Sequence, residues 1–259
     1  MFSYNLSFRV NMSARSKILL LFDVDGTLTL PRKLVTAETE MFMEKTRKLA
    51  TMGIVGGSDI GKIAEQMKGM NVMEKYDYVF SENGLVGHKD GVLIHQQNIA
   101  KHIGEEKIQK LINFSLRYMS GLELPVKRGT FIEFRSGLIN LCPVGRSCSQ
   151  EERDQFALYD AEHGVREKFR EALVQEFSNL GLRFVIGGQI SIDAFPDGWD
   201  KRYCLQFVEQ DGYEKIHFFG DKTSPGGNDY EIFSDPRVVG HTVTDPEDTM
   251  RQVAEVLNM

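Results

Sequence analysis

The sequence predicts an α/β protein, a doubly wound parallel sheet interrupted by an inserted α+β unit. Three observations predict it. The apolar run Ile18–Phe22 leads directly into Asp23-Val24-Asp25-Gly26-Thr27. Strand and helix patterns alternate near both ends of the chain, the rhythm of a sheet covered on both faces. Between them, two helix–strand–strand repeats break that rhythm.

Ile18–Phe22 has no polar position, as a strand buried on both faces requires. Residues 36–49 read as a helix carrying Glu38, Glu40, Lys45 and Arg47, and Ile54 with Val55 as a short strand. Ser58 stands at an N-cap position ahead of a helix over 59–67, and residues 78–80 read as another strand. A helix over 105–119 places Ile108, Leu111, Ile112 and Leu116 on one face. Alternating strands are expected over 126–134 and 138–144, then a long helix over 151–180 broken near Gly164. Residues 182–186 and 189–195 follow as strands across Gly187 and Gly188, completing a four-stranded antiparallel sheet backed by two helices. A helix over 201–208, a strand over 216–219 and a helix after Pro246 restore the α/β rhythm. The expected organisation is an extension over 1–16, a core over 17–94 and 197–259, and an inserted cap over 95–196.

Composition excludes several classes. Lys plus Arg number 31 against 37 Asp plus Glu, a formal charge of −6. Such a chain is poorly suited to neutralising duplex phosphates, so no nucleic-acid partner is expected. No apolar run approaches the ~18 residues of a membrane helix, and no membrane partner is expected. Cys142, Cys148 and Cys204 are odd in number without C-x-x-C spacing, which suggests neither a disulfide framework nor a zinc knuckle. A reducing, cytoplasmic setting is expected. Before Asp23 the chain carries Arg9, Arg15 and Lys17 but no carboxylate. Without a long apolar stretch we read this as an extension, with Met12 as an alternative start, rather than an organellar leader.

Four segments carry chemistry. Asp23 and Asp25 fall at the carboxyl end of the first strand, where open α/β sheets bind ligands. One can attack as a nucleophile or hold a metal while the other exchanges a proton; a solvated Asp-Gly turn is the plain alternative. Gly56, Gly57, Ser58 and Asp59 lie at the end of the next strand, where glycine admits a ligand and Ser58 can donate to an anion. Lys201 begins the helix after the insert and can neutralise a carboxylate–phosphate pair. The loop from Gly220 to Asp229 bears Asp221 and Asp229. With Asp23 and an oxygen of Asp25, Asp221 forms an all-oxygen site suited to Mg²⁺.

These four motifs, in this order, resemble the haloacid dehalogenase superfamily of phosphotransferases. The resemblance implies that Asp23 is an aspartyl-phosphate nucleophile and Asp25 the general acid/base. It also implies that Gly57, Ser58 and Lys201 hold the transferring phosphoryl group and that Asp23, Asp25 and Asp221 bind Mg²⁺. In the insert, the strings Val126-Lys127-Arg128-Gly129-Thr130-Phe131-Ile132-Glu133-Phe134-Arg135 and Pro143-Val144-Gly145-Arg146-Ser147-Cys148 resemble the eukaryotic-type phosphomannomutases. So do Glu151-Glu152-Arg153, Ser191-Ile192-Asp193 and the Gly220 to Asp229 loop. By this likeness Arg32, Arg135, Arg146 and Arg153 bind substrate, Ser191 and Asp193 meet sugar hydroxyls, and Asp229, Phe233 and Asp235 serve supporting or secondary ion sites. Val238 departs from the polar residue expected there.

The residues agree with this. Ser191 and Asp193, two apart on a strand, share a face. Several arginines in an acidic chain suit a second phosphate, which guanidinium forks bind well; pairing with Glu133, Glu151 and Glu152 on a solvated surface is the plain alternative. The implied enzyme interconverts mannose 6-phosphate and mannose 1-phosphate, primed by a hexose 1,6-bisphosphate, with glucose phosphates as further substrates. It is expected to feed GDP-mannose synthesis as a homodimer through the cap. The competing readings are a sugar-phosphate phosphatase of the same superfamily and a catalytically silent phosphosugar-binding module.

Overall fold

The computed structural model describes residues 16–259. The extension expected over 1–16 therefore lies outside the described residues except for Ser16. Ser16 donates both its N–H (2.9 Å) and its hydroxyl (3.0 Å) to the Leu49 carbonyl. The chain divides into two compact units: residues up to Ile94 with Cys204–Met259, and His95–Tyr203.

The first unit is built on a seven-stranded sheet. In chain order its strands are β1 (Ile18–Phe22), β2 (Thr51–Val55), β3 (Tyr78–Ser81), β4 (Val86–Lys89), β5 (Val92–Gln96), β10 (Lys215–Gly220) and β11 (Val239–Thr242). They lie in the order β11-β10-β1-β2-β3-β4-β5. The pairs β11–β10, β10–β1, β1–β2 and β2–β3 are parallel, whereas β3–β4 is antiparallel. β1 shows why its sequence is uniformly apolar. Leu20 and Phe22 join the apolar cluster on one face, and Leu19 and Leu21 the cluster on the other. Each such side chain contributes roughly 1.5–3 kcal/mol by leaving water. The helices α1 (Ala37–Thr46) and α2 (Ile60–Gln66) belong to this unit.

The second unit contains the antiparallel sheet β6-β7-β9-β8, formed by β6 (Ile132–Phe134), β7 (Ile139–Leu141), β8 (Leu182–Gly187) and β9 (Ser191–Pro196). Helices Glu105–Ser120, Gln150–His163 and Val165–Glu176 accompany it. Gly164 separates the last two in a left-handed conformation. Ser149 and Glu152 form a reciprocal capping box at the start of Gln150–His163.

Several elements differ from expectation, for local reasons. The strand expected over 126–134 shrinks to β6. Thr130 takes a positive φ of 58° and breaks the extended run, although Arg128 N–H still donates to Val144 O (2.8 Å) and Arg146 N–H to Thr130 O (3.0 Å). Asp59 rather than Ser58 caps α2, accepting from Lys62 N–H at 3.0 Å. The helix expected from Lys201 begins as a 3₁₀ turn, Lys201–Cys204, before Leu205–Val208. The β4–β5 hairpin was not anticipated. It turns through Asp90 (φ 49°) and Gly91 (φ 77°), an Asp-Gly pair suited to a tight hairpin.

Candidate active site

The parallel register brings three loops to one edge of the sheet. Leu21 pairs with Phe218 on one side and Gly53 on the other, and Phe22 with Phe219 and Ile54. Asp23 N–H continues the ladder by donating to Phe219 O at 2.9 Å. The residues just past β1, β2 and β10 thus emerge together, at the carboxyl ends where such sheets bind ligands. They surround a cleft of about 150 Å³ lined by Asp23, Asp25, Gly57, Ser58, Gln66, Lys222 and Asn228, among others.

Asp23, Asp221 and Asp229 bring carboxylate oxygens within 4.8 Å of one another. Asp23 and Asp229 are buried. Three oxygen donors so close, two of them withdrawn from water, are the chemistry a hard divalent cation such as Mg²⁺ selects. Two glycines make the approach feasible. A Cβ on Gly26 would collide with the Asp221 carboxylate, and one on Gly220 would lie 2.7 Å from Asp229 Cγ. Asp229 also accepts Lys222 N–H at 3.1 Å, which ties the loop's two ends together.

The Asp25 side chain is not in the three-carboxylate cluster. Its Oδ1 accepts Arg32 N–H (2.8 Å) and Gln66 Nε2 (2.7 Å). Arg32 reaches that position with φ 60°, and its side chain is exposed. Lys201, in the second unit, is fully buried and engaged, as a buried ammonium must be. Asp235 Oδ1 accepts the backbone N–H and Nε of Arg237 at 3.0 and 2.8 Å, and its Oδ2 accepts Nη2 at 2.8 Å. Phe233 closes the short helix Tyr230–Phe233.

In the second unit the strand register sets Glu133 opposite Asn140, and Asn140 opposite Asp193. That row carries a polar network. Arg135 Nε donates to Glu133 Oε2 at 2.7 Å, and Arg146 Nε lies 3.1 Å from the same oxygen. Arg146 Nη1 reaches Asn140 Oδ1 at 2.9 Å, while Asn140 Nδ2 donates to Asp193 Oδ1 at 2.6 Å. Burial pushes the Asp193 carboxyl above its ordinary range, against the Asn140 bond and the two guanidinium charges. Ser191 is buried and donates to Gly187 O at 3.1 Å. Arg153 Nη2 donates to Arg146 O at 3.0 Å and braces the turn bearing that arginine. Arg128, not Arg153, takes Glu152.

Asp23, Asp25, Gly57 and Ser58 thus meet in one cleft, Asp221 joins Asp23, and Arg135, Arg146 and Asp193 meet in the second unit's network. Gln66, Lys222, Asn228, Glu133 and Asn140 were not singled out as site residues. Lys222 and Asn228 lie inside the Gly220 to Asp229 string, which was a usable signal. The strand register alone exposes Asn140.

The family model described as eukaryotic phosphomannomutase matches residues 39–259. A phosphomannomutase from Glycine max is 58% identical over 238 residues, covering 92% of this chain and 95% of the relative. One from Drosophila melanogaster is 55% identical over 247 residues, covering 95% and 97%. Among solved structures, a haloacid dehalogenase-like hydrolase from Bacteroides thetaiotaomicron superposes with TM-score 0.61 at 11% identity, covering 94% of this chain and all (100%) of that one. That last likeness is one of fold alone. On the strength of the family match and these relatives, the chain belongs to the eukaryotic phosphomannomutase family and is an enzyme of it.

Proposed function

We propose that this enzyme interconverts mannose 6-phosphate and mannose 1-phosphate through a phosphoryl group carried on Asp23. The observation that supports the reading is the arrangement of carboxylates in the cleft. One buried carboxylate closes β1 within a three-carboxylate cluster, and a second, Asp25, is held apart by its own hydrogen bonds. Asp23 attacks phosphorus of a hexose 1,6-bisphosphate, the bond from phosphorus to the sugar oxygen breaks, and Asp25 supplies the proton that oxygen needs. A monophosphate then binds in the other orientation, Asp25 removes its hydroxyl proton, and the phosphoryl group passes from Asp23 to that oxygen. Positioning and charge complementarity supply most of the acceleration in such transfers.

Ser58, the backbone at Gly57 and Lys201 receive the transferring phosphoryl group. Mg²⁺ held by Asp23, Asp221 and Asp229, with an oxygen of Asp25, would neutralise negative charge on phosphate oxygens. Residues 95–196 act as the cap: Arg135, Arg146 and Arg153, with Arg32, grip the phosphate that is not transferred, and Ser191 and Asp193 take sugar hydroxyls. Closure would exclude water from an acyl phosphate that hydrolyses readily. The same reading carries a homodimer through the cap, a cytosolic setting, use of the product in GDP-mannose synthesis, and activity on glucose phosphates.

The test is a product ratio. With hexose 1,6-bisphosphate and mannose 1-phosphate, isomerised sugar should exceed released inorganic phosphate. A ratio reversed in favour of inorganic phosphate would make the enzyme a phosphatase.

A further inference from the structure

We infer that Gln66 is a positioning residue that aims Asp25 at the sugar oxygen, an inference that rests on Asp25 being the proton carrier. Gln66 ends α2 and lines the cleft. Its Nε2 donates to Asp25 Oδ1 at 2.7 Å, and its backbone carbonyl accepts Val35 N–H at 2.8 Å. One residue therefore clasps the segment between Asp25 and Val35 at both ends. Arg32 N–H adds a second donor to the same oxygen at 2.8 Å, from a backbone held at φ 60°. A left-handed arginine is uncommon and persists where surrounding contacts impose it. Both bonds fall on Oδ1 and leave Oδ2 to give and take the proton. A carboxylate fixed by two donors keeps one orientation, and proton transfer requires that orientation to within hydrogen-bond reach of the substrate.

The consequence depends on the leaving group. Transfer from hexose 1,6-bisphosphate to Asp23 expels a sugar alkoxide, which needs a proton as the phosphorus–oxygen bond breaks. Transfer from acetyl phosphate expels acetate, a stable anion that needs none. A residue acting through Asp25 should matter for the first donor and be silent for the second. A residue that merely props up the cleft should matter equally for both.

The experiment compares single-turnover labelling of the full-length enzyme by radiolabelled hexose 1,6-bisphosphate and by acetyl phosphate. Gln66→Met keeps the length and the backbone bond to Val35 while removing the donor. It should slow labelling by the bisphosphate at least tenfold, leave labelling by acetyl phosphate within twofold of the wild type, and lower mutase kcat more than it raises KM. Wild-type rates with both donors, or equal losses with both, would overturn the inference. Asp25→Asn is run beside it. Selective loss there with an unaffected Gln66→Met rejects Gln66 alone, whereas equal loss of both donors in Asp25→Asn rejects the proton-carrier assignment and the inference with it.

Discussion

Replacing Gly26 by alanine should cost the enzyme stability and rate in amounts that the geometry separates. Gly26 sits at φ 81°, where an L side chain costs roughly 1–2 kcal/mol. The added Cβ would also stand 2.6 Å from Asp221 Cγ and 3.1 Å from Asp221 Cβ. Carbon atoms in contact prefer ~3.5–4.0 Å, so Asp221 must retreat by about 1 Å. Misplacing a group in the reacting assembly by that distance can cost on the order of 100-fold in rate. Gly212 supplies the control, because it has φ 70° and nothing within 4 Å of its would-be Cβ. Gly212→Ala should lower the apparent Tm by roughly 2–8 °C, from the same strain spread over a chain of this size, with kcat unchanged. Gly26→Ala should lose at least as much in Tm, about 100-fold in kcat/KM, and require more Mg²⁺ for half-maximal rate. Thermal unfolding and a coupled mutase assay with titrated Mg²⁺ read all three. Wild-type kcat/KM in Gly26→Ala would refute the reasoning, as would an equal activity loss in Gly212→Ala.

Other consequences are equally direct. Burial, then the charges of His241 and Lys215, holds His217 down to about 4 from its ordinary 6.5, with its Nδ1 2.8 Å from His241 Nε2. The folded value lies below the unfolded one, so the unfolded chain binds the extra proton as pH falls. The stability this residue contributes should be complete above pH 6.5 and decline toward pH 4; His217→Gln should flatten the Tm profile across that window, and an unchanged slope would contradict the assignment. Asn140→Ala removes the bridge between Arg146 and Asp193 and leaves two half-buried partners without it, a loss toward the lower end of ~1–3 kcal/mol. It should raise KM for mannose 1-phosphate about tenfold or more while labelling by acetyl phosphate stays intact; an unchanged KM would remove the network from substrate binding.

The sheet core was legible because its constraints are local. An all-apolar Ile18–Phe22 followed by Asp23 and Asp25 declares a doubly buried strand with carboxylates at its end, and the structure has both. Asp221 was legible for the same reason, since it follows β10 directly, and Asp229 closes the glycine-containing loop that Asp221 opens. The β4–β5 hairpin carried its own signal in Asp90 and Gly91, but the polar β4, with Gly87, His88 and Lys89, obscures the alternation. What sequence spacing could not provide was partnership across distance. Gln66 and Asp25 are 41 positions apart, and Asn140 and Asp193 are 53 apart; only chain folding and strand register make them neighbours. Thr130 at positive φ illustrates another limit, for nothing in its residue type foretells a break in the strand.

Peptide mass mapping after brief exposure to radiolabelled hexose 1,6-bisphosphate tests the central claim most directly. The account predicts one acid-stable, base-labile phosphoryl group on the peptide containing Asp23. That group should be discharged by unlabelled mannose 1-phosphate and be absent from Asp23→Asn. Continued isomerisation with no label on that peptide, or with the label on another side chain, would contradict it.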